Sequence, residues 1–492
     1  MKPIYVKAQD FLFLLIFFLF SYISDAQVSF EANGQQINNL LGNDAELGDF
    51  NNDGYLDVFV VNSNSRDGVG HRVYLNDGEG QFTDNGQQLY DSTFIDMNAA
   101  IGDINGDGKL EVITGTTVWL NNGSGIFEPA DEKIELSDTS GLLGVVVKLA
   151  DLNNDSYLDL FCVIVDANNS NVRIYFNDGN GKFQNTGQKF GGGTIAKAEL
   201  ADLDGDGDID AVTAGWKPNS MDPSGSNYCP NRIWLNDGSG NFTEGAQILD
   251  EGTRHIHGIR IADINGDEKP DLVIGLTSSP FMKIFTNDGS GNFTTGQTFG
   301  NIWVSGFALG DINNDGTPDV MIVSGDCSVL PRAVAGQVWL NDGTGHYTDS
   351  KFRLASDISS DVELSDFNGD SKPDAFVVNW GWDNAAYAQV GSPSTIYLNN
   401  TTETSVKLSD TPDKLLEVYP NPCHDKVTVR FNNPIRNFLS LEVTDMQGRC
   451  ILTTNLSGDN DTTIDLNGLV KGAYLLTLKI NNNTIARKIC IE

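Results

Sequence analysis

A nine-residue pattern that recurs along the chain constrains the fold more than any other feature. In DFNNDGYLDVFVVN, residues 49–62, oxygen-bearing side chains alternate at Asp49, Asn51 and Asp53, Gly54 frees the backbone to bend, and Asp57 precedes a branched, apolar run. That density of oxygens suits a hard cation that takes many ligands, and calcium is the expected ion. The first half reads like an EF-hand loop, but the twelfth position, where that motif needs a bidentate Glu, is Val60. The EF-hand reading therefore fails. Val58, Phe59, Val60 and Val61 have the character of a buried strand, so the loop opens into a strand and Asp57 takes the place of the missing Glu.

The same spacing returns six times, with ligand sets Asp103, Asn105, Asp107, Glu111; Asp151, Asn153, Asp155, Asp159; Asp202, Asp204, Asp206, Asp210; and Asp263, Asn265, Asp267, Asp271. Asp311, Asn313, Asp315, Asp319 and Asp366, Asn368, Asp370, Asp374 complete the series, so up to seven Ca²⁺ ions are expected. The first ligands are 54, 48, 51, 61, 48 and 55 residues apart, each interval long enough for about four short strands, as in a propeller blade. A polar turn that binds nothing would also favour Asp, Asn and Gly, but it has no use for an acid at the ninth position.

About twenty residues after each loop comes a second signature, as in VYLNDGEGQFT (73–83) and IWLNDGSGNFT (233–243), which reads as strand, glycine turn, strand. Its GxGxF element ends at Phe82, Phe127, Phe183, Phe242, Phe293 and, with Tyr, at Tyr347. No helix pattern follows these glycines, so they are hairpin turns and not phosphate cradles. The seventh copy stops early at IYLNN (396–400), while FEANGQQ (30–36) matches FTDNGQQ (82–88) almost residue for residue. The N-terminal segment is therefore expected to complete the last blade and remove the open edges of the ring.

These loops resemble the FG-GAP or VCBS repeats, whose best-known members are the calcium-bearing propellers of integrin α chains. The resemblance covers residues 28 to about 400 and implies an all-β, seven-bladed β-propeller whose calcium loops lie on a lower face and whose ligands engage an upper face. The family includes adhesins, lectin-like binders and polysaccharide-cleaving enzymes, and the fold does not choose among them.

The ends of the chain differ from its middle. Residues 1–26 carry Lys2 and Lys7, the apolar run FLFLLIFFLF (11–20) and Ser24, Asp25 and Ala26 as a small-residue cleavage site, the form of a secretory signal. The apolar run is too short for a comfortable span, and no later stretch reaches eighteen apolar residues, so no transmembrane segment is expected in the mature chain. Residues 27–400 form the propeller, 401–415 a linker rich in Thr, Ser and Asp, and 416–492 a separate small β-sandwich of period-two strands. That last segment resembles the type A C-terminal sorting domain of the type IX secretion system. The resemblance rests on Tyr419-Pro420-Asn421-Pro422, on Asp445 and Gly448, and on Gly472-Ala473-Tyr474. It implies a partner in the secretion machinery, contacted through 416–492, and a place outside a Bacteroidetes-type cell, released or held at its surface. The ending KICIE departs from the basic residue more usual there.

Composition bounds the partners. The 67 acidic residues outnumber the 31 basic ones for a net charge of −36, and 22 of the acids are loop ligands. With no basic stripe, nucleic acid is excluded as a partner. Six cysteines form no CxxC pair; Cys162 lies in an apolar strand, and the sequence fixes no disulfide, including one between Cys229 and Cys327.

Specific function is expected where the repeat breaks, in the inserts 62–72, 214–231, 323–337 and 378–395. Trp216, Trp380, Trp382 and Tyr387 fall in them and Trp303 in a blade connection, where they either stack on a sugar or protein ligand or pack the inserts onto the propeller. TRHIHGIR (253–260) offers Arg254, His255 and His257 as weak catalytic candidates, without a carboxylate in the motif to orient either His. Three residues before each first ligand stand Glu46, Ala100, Lys148, Glu199, Arg260, Ala308 and Glu363, a ring of structural charges that could also line a channel. Binding of a glycan or protein stands first, polysaccharide cleavage second, and a purely structural surface protein third.

Overall fold

The computed structural model describes residues 28–491 apart from 38–41, 63–68, 91–94, 137–141, 167–169, 194, 216–229, 251–255, 278, 326–333, 380–381, 384–387, 390–391, 402–415, 420–425, 432–438, 446–449, 457–460, 468 and 481–482. Every regular element among these residues is a β-strand. The chain divides into two compact units, one spanning Gln27–Glu403 and one within Thr404–Glu492. The expected signal segment and nearly all of the expected linker lie outside the described residues.

Seven sheets of four or five strands, together with a two-stranded ribbon of Trp382–Asp383 and Ala388–Gln389, make up the larger unit among its described residues. In each of the first six the chain runs through four strands in sequence order; the first sheet, for example, uses Gly42–Gly48, Asp57–Asn62, Arg72–Asn76 and Phe82–Asp84. The second strands are the most apolar, and DVFVVN (Asp57–Asn62), DAVTAG (Asp210–Gly215) and DLVIGL (Asp271–Leu276) are buried along their whole length. Such unbroken burial is expected of a strand that is covered on both faces. The fourth strands alternate, as in Phe293–Phe299 with only its terminal Phe residues buried, which suits an edge that faces solvent.

The seventh sheet is built from both ends of the unit. Ser359–Ser365, Asp374–Asn379 and Ser394–Asn399 supply three strands, and Phe30–Ile37 pairs antiparallel with Ser394–Asn399 as the fourth, Phe30 opposite Asn399. The first strands of successive sheets lie against one another in order, and that of the seventh lies against that of the first. The apolar clusters between sheets follow the same circuit, since Val58, Val60 and Phe82 of the first sheet pack with Phe376, Val378 and Ile396 of the seventh.

The third sheet departs from the expected four strands. Ile95–Asp96, from the connection into the second sheet, adds to it as a fifth, parallel strand beside Gly144 and Val145. Asp96 there faces His71, whose Nε2 is 3.0 Å from Asp96 Oδ2, and both side chains are wholly buried. The Asn62 N–H donates to His71 Nδ1 at 3.2 Å, so Nε2 carries the proton and donates to Asp96.

In the smaller unit, Leu416–Tyr419, Lys426–Phe431 and Asp461–Asp465 form one sheet; Cys450–Leu456, Leu439–Asp445, Gly472–Ile480 and Asn483–Ile491 form another. Val427, Val429 and Ile464 from the first share one apolar cluster with Leu441, Val443, Leu476 and Ile489 from the second.

Candidate functional site

Each acidic loop joins the first strand of a sheet to its second, and its ninth residue opens the second strand. The backbone enters the left-handed region at the fourth and sixth positions of all seven loops, at Asn52 and Gly54 in the first and at Gly106 and Gly108 in the second. Glycine fills eight of these fourteen places; Asn52, Asn154, Ser156, Glu268, Asn314 and Ser371 hold the rest against the preference of their side chains. The curled backbone turns N–H groups inward. Asp49 accepts from the N–H of Asp53 (3.1 Å) and Gly54 (2.9 Å), Asn51 Oδ1 accepts from Asp53 N–H (2.9 Å), and the same bonds recur in the loop of the third sheet at Asp151 and Asn153.

The ninth-position acids Asp57, Glu111, Asp159, Asp210, Asp271, Asp319 and Asp374 are all 0% exposed. One oxygen of each accepts the N–H of the loop's second residue, from 2.9 Å at Phe50 and Leu203 to 3.3 Å at Ile264. In six of them the other oxygen accepts a backbone N–H from an Asn that ends the third strand, such as Asn76 (2.8 Å) or Asn399 (2.7 Å). Glu111 is one methylene longer, and its Oε1 is buried with no hydrogen-bond partner.

Burial pushes these carboxyls up, to about 6 at Asp57, Asp159, Asp210, Asp271 and Asp374, to about 7 at Glu111 and to about 8 at Asp319, with the facing acids of the same loop adding to the shift. Carboxylate oxygens converge within 4.8 Å in three loops: Asp103, Asp107 and Glu111; Asp202, Asp204 and Asp210; and Asp263, Asp267 and Asp271. Several acidic clusters could thus hold a metal ion, and the all-oxygen donor set together with the orphaned Glu111 oxygen fits a hard cation.

The Asn that ends each third strand has a second task that the sequence reading missed. Its Nδ2 donates to the carbonyl of the second loop residue in the preceding sheet: Asn121 to Phe50 (2.8 Å), Asn177 to Ile104 (2.8 Å), Asn236 to Leu152 (2.8 Å), Asn287 to Leu203 (2.8 Å), Asn341 to Ile264 (2.8 Å) and Asn399 to Ile312 (2.9 Å). Asn76 donates to Phe367 of the seventh sheet (3.0 Å), so the seven bonds run in a circle. The same loop residue that buttresses the ninth-position acid is thus gripped by the next sheet.

A second tie joins the outer strands. The side-chain amide of Gln87 bonds both the N–H and the C=O of Phe127 in the next sheet (2.9 and 2.8 Å), and Gln247 does so with Phe293 (2.7 and 2.6 Å), Gln297 with Tyr347, and Gln35 with Phe82. Gln188 accepts from Phe242 N–H (3.0 Å). Recurring NGQ and LND triplets were the available signal in the sequence, although the partners lie in the next repeat.

Of the ligand-face candidates, the structure brings His257 and Trp303 together, their ring centroids 6.0 Å apart at 71°. Trp382 lies in a two-residue strand, Trp382–Asp383, paired with Ala388–Gln389. Trp216, Trp380, Tyr387, Arg254 and His255 lie outside the described residues. The inner ring carries ion pairs, with Lys148 2.9 Å from Glu199 and Arg260 3.7 Å from Glu199 and 3.2 Å from Glu363. Cys162 is buried and unpaired, and burial pushes its thiol up to about 12, which leaves it inert as a nucleophile.

Comparison with known families matches FG-GAP-like repeats at residues 49–114, 151–213 and 220–274, and a secretion system C-terminal sorting domain at 417–492. The chain is an FG-GAP-like repeat protein with a secretion sorting domain. Sorting domains of this kind mark proteins that the type IX system of Bacteroidetes exports, so the FG-GAP-like protein is secreted or placed on the cell surface and engages that machinery. Among the described residues no helix is long and apolar enough to cross a membrane.

No curated protein matches the chain. Solved structures similar to it include a lectin of Agrocybe aegerita that recognises non-reducing terminal N-acetylglucosamine (20% identity, TM-score 0.43, covering 65% of this chain and 81% of that one). BBS1N in complex with ARL6DN shares 9% identity at TM-score 0.48, covering 77% and 99%, and the V. cholerae biofilm matrix protein Bap1 shares 11% at 0.38, covering 76% and 91%.

Proposed function

We propose that residues 27–400 of this FG-GAP-like protein form a closed, seven-bladed β-propeller that calcium holds rigid, and that it binds a glycan or protein at the cell surface. The observation that carries the calcium reading is the buried ninth-position acid in all seven loops, which faces further carboxylates of its loop and, among the described residues, pairs with no basic side chain. When bound, Ca²⁺ would supply the positive charge that such a site lacks. Asp49, Asn51, Asp53 and Asp57, and their counterparts in the other six loops, would hold it. The circle of Asn bonds and the shared clusters support closure by the N-terminal strand.

Ligand binding is assigned to the end of the sheets opposite the loops. Antiparallel pairing puts the long connections between second and third strands there, together with the links between sheets. Those segments vary from sheet to sheet, whereas the loop end repeats, and a specific partner must be recognised by what differs. Trp303, half-buried against His257, is one aromatic surface on that end whose surroundings are described. Residues 416–492 would act in export alone.

A glycan-array screen of the full chain, in Ca²⁺ and again in EDTA, tests this reading, with bound polysaccharides examined afterwards for cleavage. Selective binding that EDTA abolishes is expected, with the glycans intact. Cleavage products would replace binding with catalysis, and silence on every glycan would direct the search to protein partners.

A further inference from the structure

The seven loops are not equivalent at their ninth position. Six end on an aspartate whose two oxygens each accept a backbone N–H, one from the loop itself and one, at 2.7–2.8 Å, from the Asn that ends the third strand. The second loop ends on Glu111. Its Oε2 accepts the Ile104 N–H at 3.2 Å, but no hydrogen bond reaches Oε1, although the Asn121 N–H lies near enough to favour the ionised carboxyl. One more methylene takes the carboxylate out of register with the donor that serves the aspartates. Glu111 is 0% exposed, so water does not replace that donor.

A buried carboxylate oxygen without a donor is destabilising unless something else satisfies it. Here it belongs to a group whose oxygens converge, since Asp103, Asp107 and Glu111 approach within 4.8 Å of one another. The fifth loop supplies the comparison. DINGDEKPD (263–271) and DINGDGKLE (103–111) agree at six of nine positions, and in both the Lys at the seventh position pairs with the Asp at the fifth, Lys109 with Asp107 at 2.6 Å and Lys269 with Asp267 at 3.6 Å. Asp263, Asp267 and Asp271 converge as well, but Asp271 already accepts from Ile264 (3.3 Å) and Asn287 (2.7 Å). The orphaned oxygen therefore follows the Glu and not the rest of the loop.

We propose that Glu111 makes the second loop the calcium-selective site of the seven, by offering both carboxylate oxygens to one ion where the six aspartate loops offer one. The inference rests on the reading of the loops as cation sites and adds that they discriminate differently. Two backbone donors pin the orientation of each aspartate, and a pinned carboxylate cannot turn both oxygens to the same ion. Glu111 is pinned at Oε2 alone and keeps Oε1 for the ion. Ca²⁺ takes about six to eight oxygens and accepts a carboxylate through both of them, whereas Mg²⁺ demands a near-ideal octahedron and keeps several of its waters. A second oxygen from one carboxylate thus favours Ca²⁺ over Mg²⁺. The additional carboxylate of the fourth loop, Asp204, acts differently, because added charge attracts both ions.

Equilibrium dialysis of the full chain against radioactive Ca²⁺, without Mg²⁺ and across rising Mg²⁺, tests the proposal by counting the ions held per chain. Glu111→Asp and Asp271→Glu are the variants, and circular dichroism verifies folding. In excess Mg²⁺ the unaltered chain should keep one Ca²⁺, Glu111→Asp none and Asp271→Glu two. Loss of an outer partner alone costs about tenfold in metal affinity, so the Mg²⁺ needed to displace the last Ca²⁺ should fall by about tenfold or more in Glu111→Asp. Displacement at the same Mg²⁺ concentration from the unaltered chain and folded Glu111→Asp would overturn this inference and leave the loop reading standing. Should Glu111→Asp not fold, Asp271→Glu that keeps no more ions than the unaltered chain would overturn it instead. A chain that holds no Ca²⁺ even without Mg²⁺ would overturn the loop reading, and this inference with it.

Discussion

Neighbouring sheets are joined in two places, at the loop end and at the outer rim, and the two joints differ in uniformity. The loop-end Asn bond is present at all seven junctions, from Asn76 to Asn399. The outer Gln tie is present at five. At the junction of the sixth and seventh sheets Phe352 stands in its place and packs on Phe30, ring centroids 5.7 Å apart; at that of the second and third, Glu132 reaches Lys182 at 3.6 Å. The difference follows from what each joint must also do. A loop-end Asn grips the preceding sheet's loop with its side chain and, in six of the seven sheets, buttresses the buried acid of its own sheet with its backbone N–H, so one residue ties two loops together. The outer tie only closes a gap between half-exposed strands, and an aromatic contact or an exposed ion pair can take its place.

The largest expected effect is therefore at the loop end. Seven sites, each worth about 2.7 kcal/mol when the ion is at a hundred times its Kd, would dominate the stability of the unit. Excess EDTA should lower the melting temperature of the full chain by more than about 10 °C in calorimetry, using about 2–4 °C per kcal/mol as the conversion. An unmoved transition would take the metal out of the comparison and leave the Asn bonds to explain the uniformity alone.

One junction carries both ties, which allows them to be compared directly. Between the fourth and fifth sheets, Asn287 Nδ2 donates to Leu203 and Pro270 carbonyls (2.8 and 3.1 Å), while Gln247 holds Phe293. Asn287→Ala removes two side-chain hydrogen bonds, one to the Leu203 carbonyl, which keeps that of the Gly291 N–H (3.0 Å), and one to Pro270, and should cost about 2 kcal/mol in chemical denaturation. Gln247→Ala exposes half-buried groups that water can reach and should cost about 1 kcal/mol. Equal losses would mean that the two joints do the same work.

The same contrast shows what was legible in the sequence. The acidic loops could be read because their oxygen-bearing side chains recur at a fixed local spacing, and all 28 positions lie in equivalent loops. The pairing of Phe30–Ile37 with Ser394–Asn399 was legible from two matching heptapeptides. The Asn and Gln ties were visible as recurrences but read as turn chemistry, because their partners lie in the neighbouring repeat; Asn236 and Leu152, for example, are 84 residues apart. Ile95–Asp96, a strand of two residues, and the buried His71–Asp96 pair carry no periodicity for a sequence pattern to reveal.

The smallest expected effect asks whether spacing alone defines the outer tie. Gln35, Gln87, Gln188 and Gln247 each stand five residues after the Phe that opens their strand, and Glu132 stands five after Phe127. Its ion pair with Lys182 joins side chains that are 76% and 65% exposed, where such a pair contributes little and weakens with salt. Glu132→Gln keeps the length, removes a charge from an already acidic chain and supplies the amide that the other junctions use. It should therefore stabilise the protein by about 0.5 kcal/mol, with less dependence on salt between 0.05 and 0.5 M, values that are about what is needed to span the screening range. The matching change at the other exception, Phe352→Gln, should destabilise, because it removes the ring packed on Phe30. A loss of stability in Glu132→Gln would show that the second sheet, whose outer strand Phe127–Pro129 is only three residues long, does not bring position 132 within reach of Phe183.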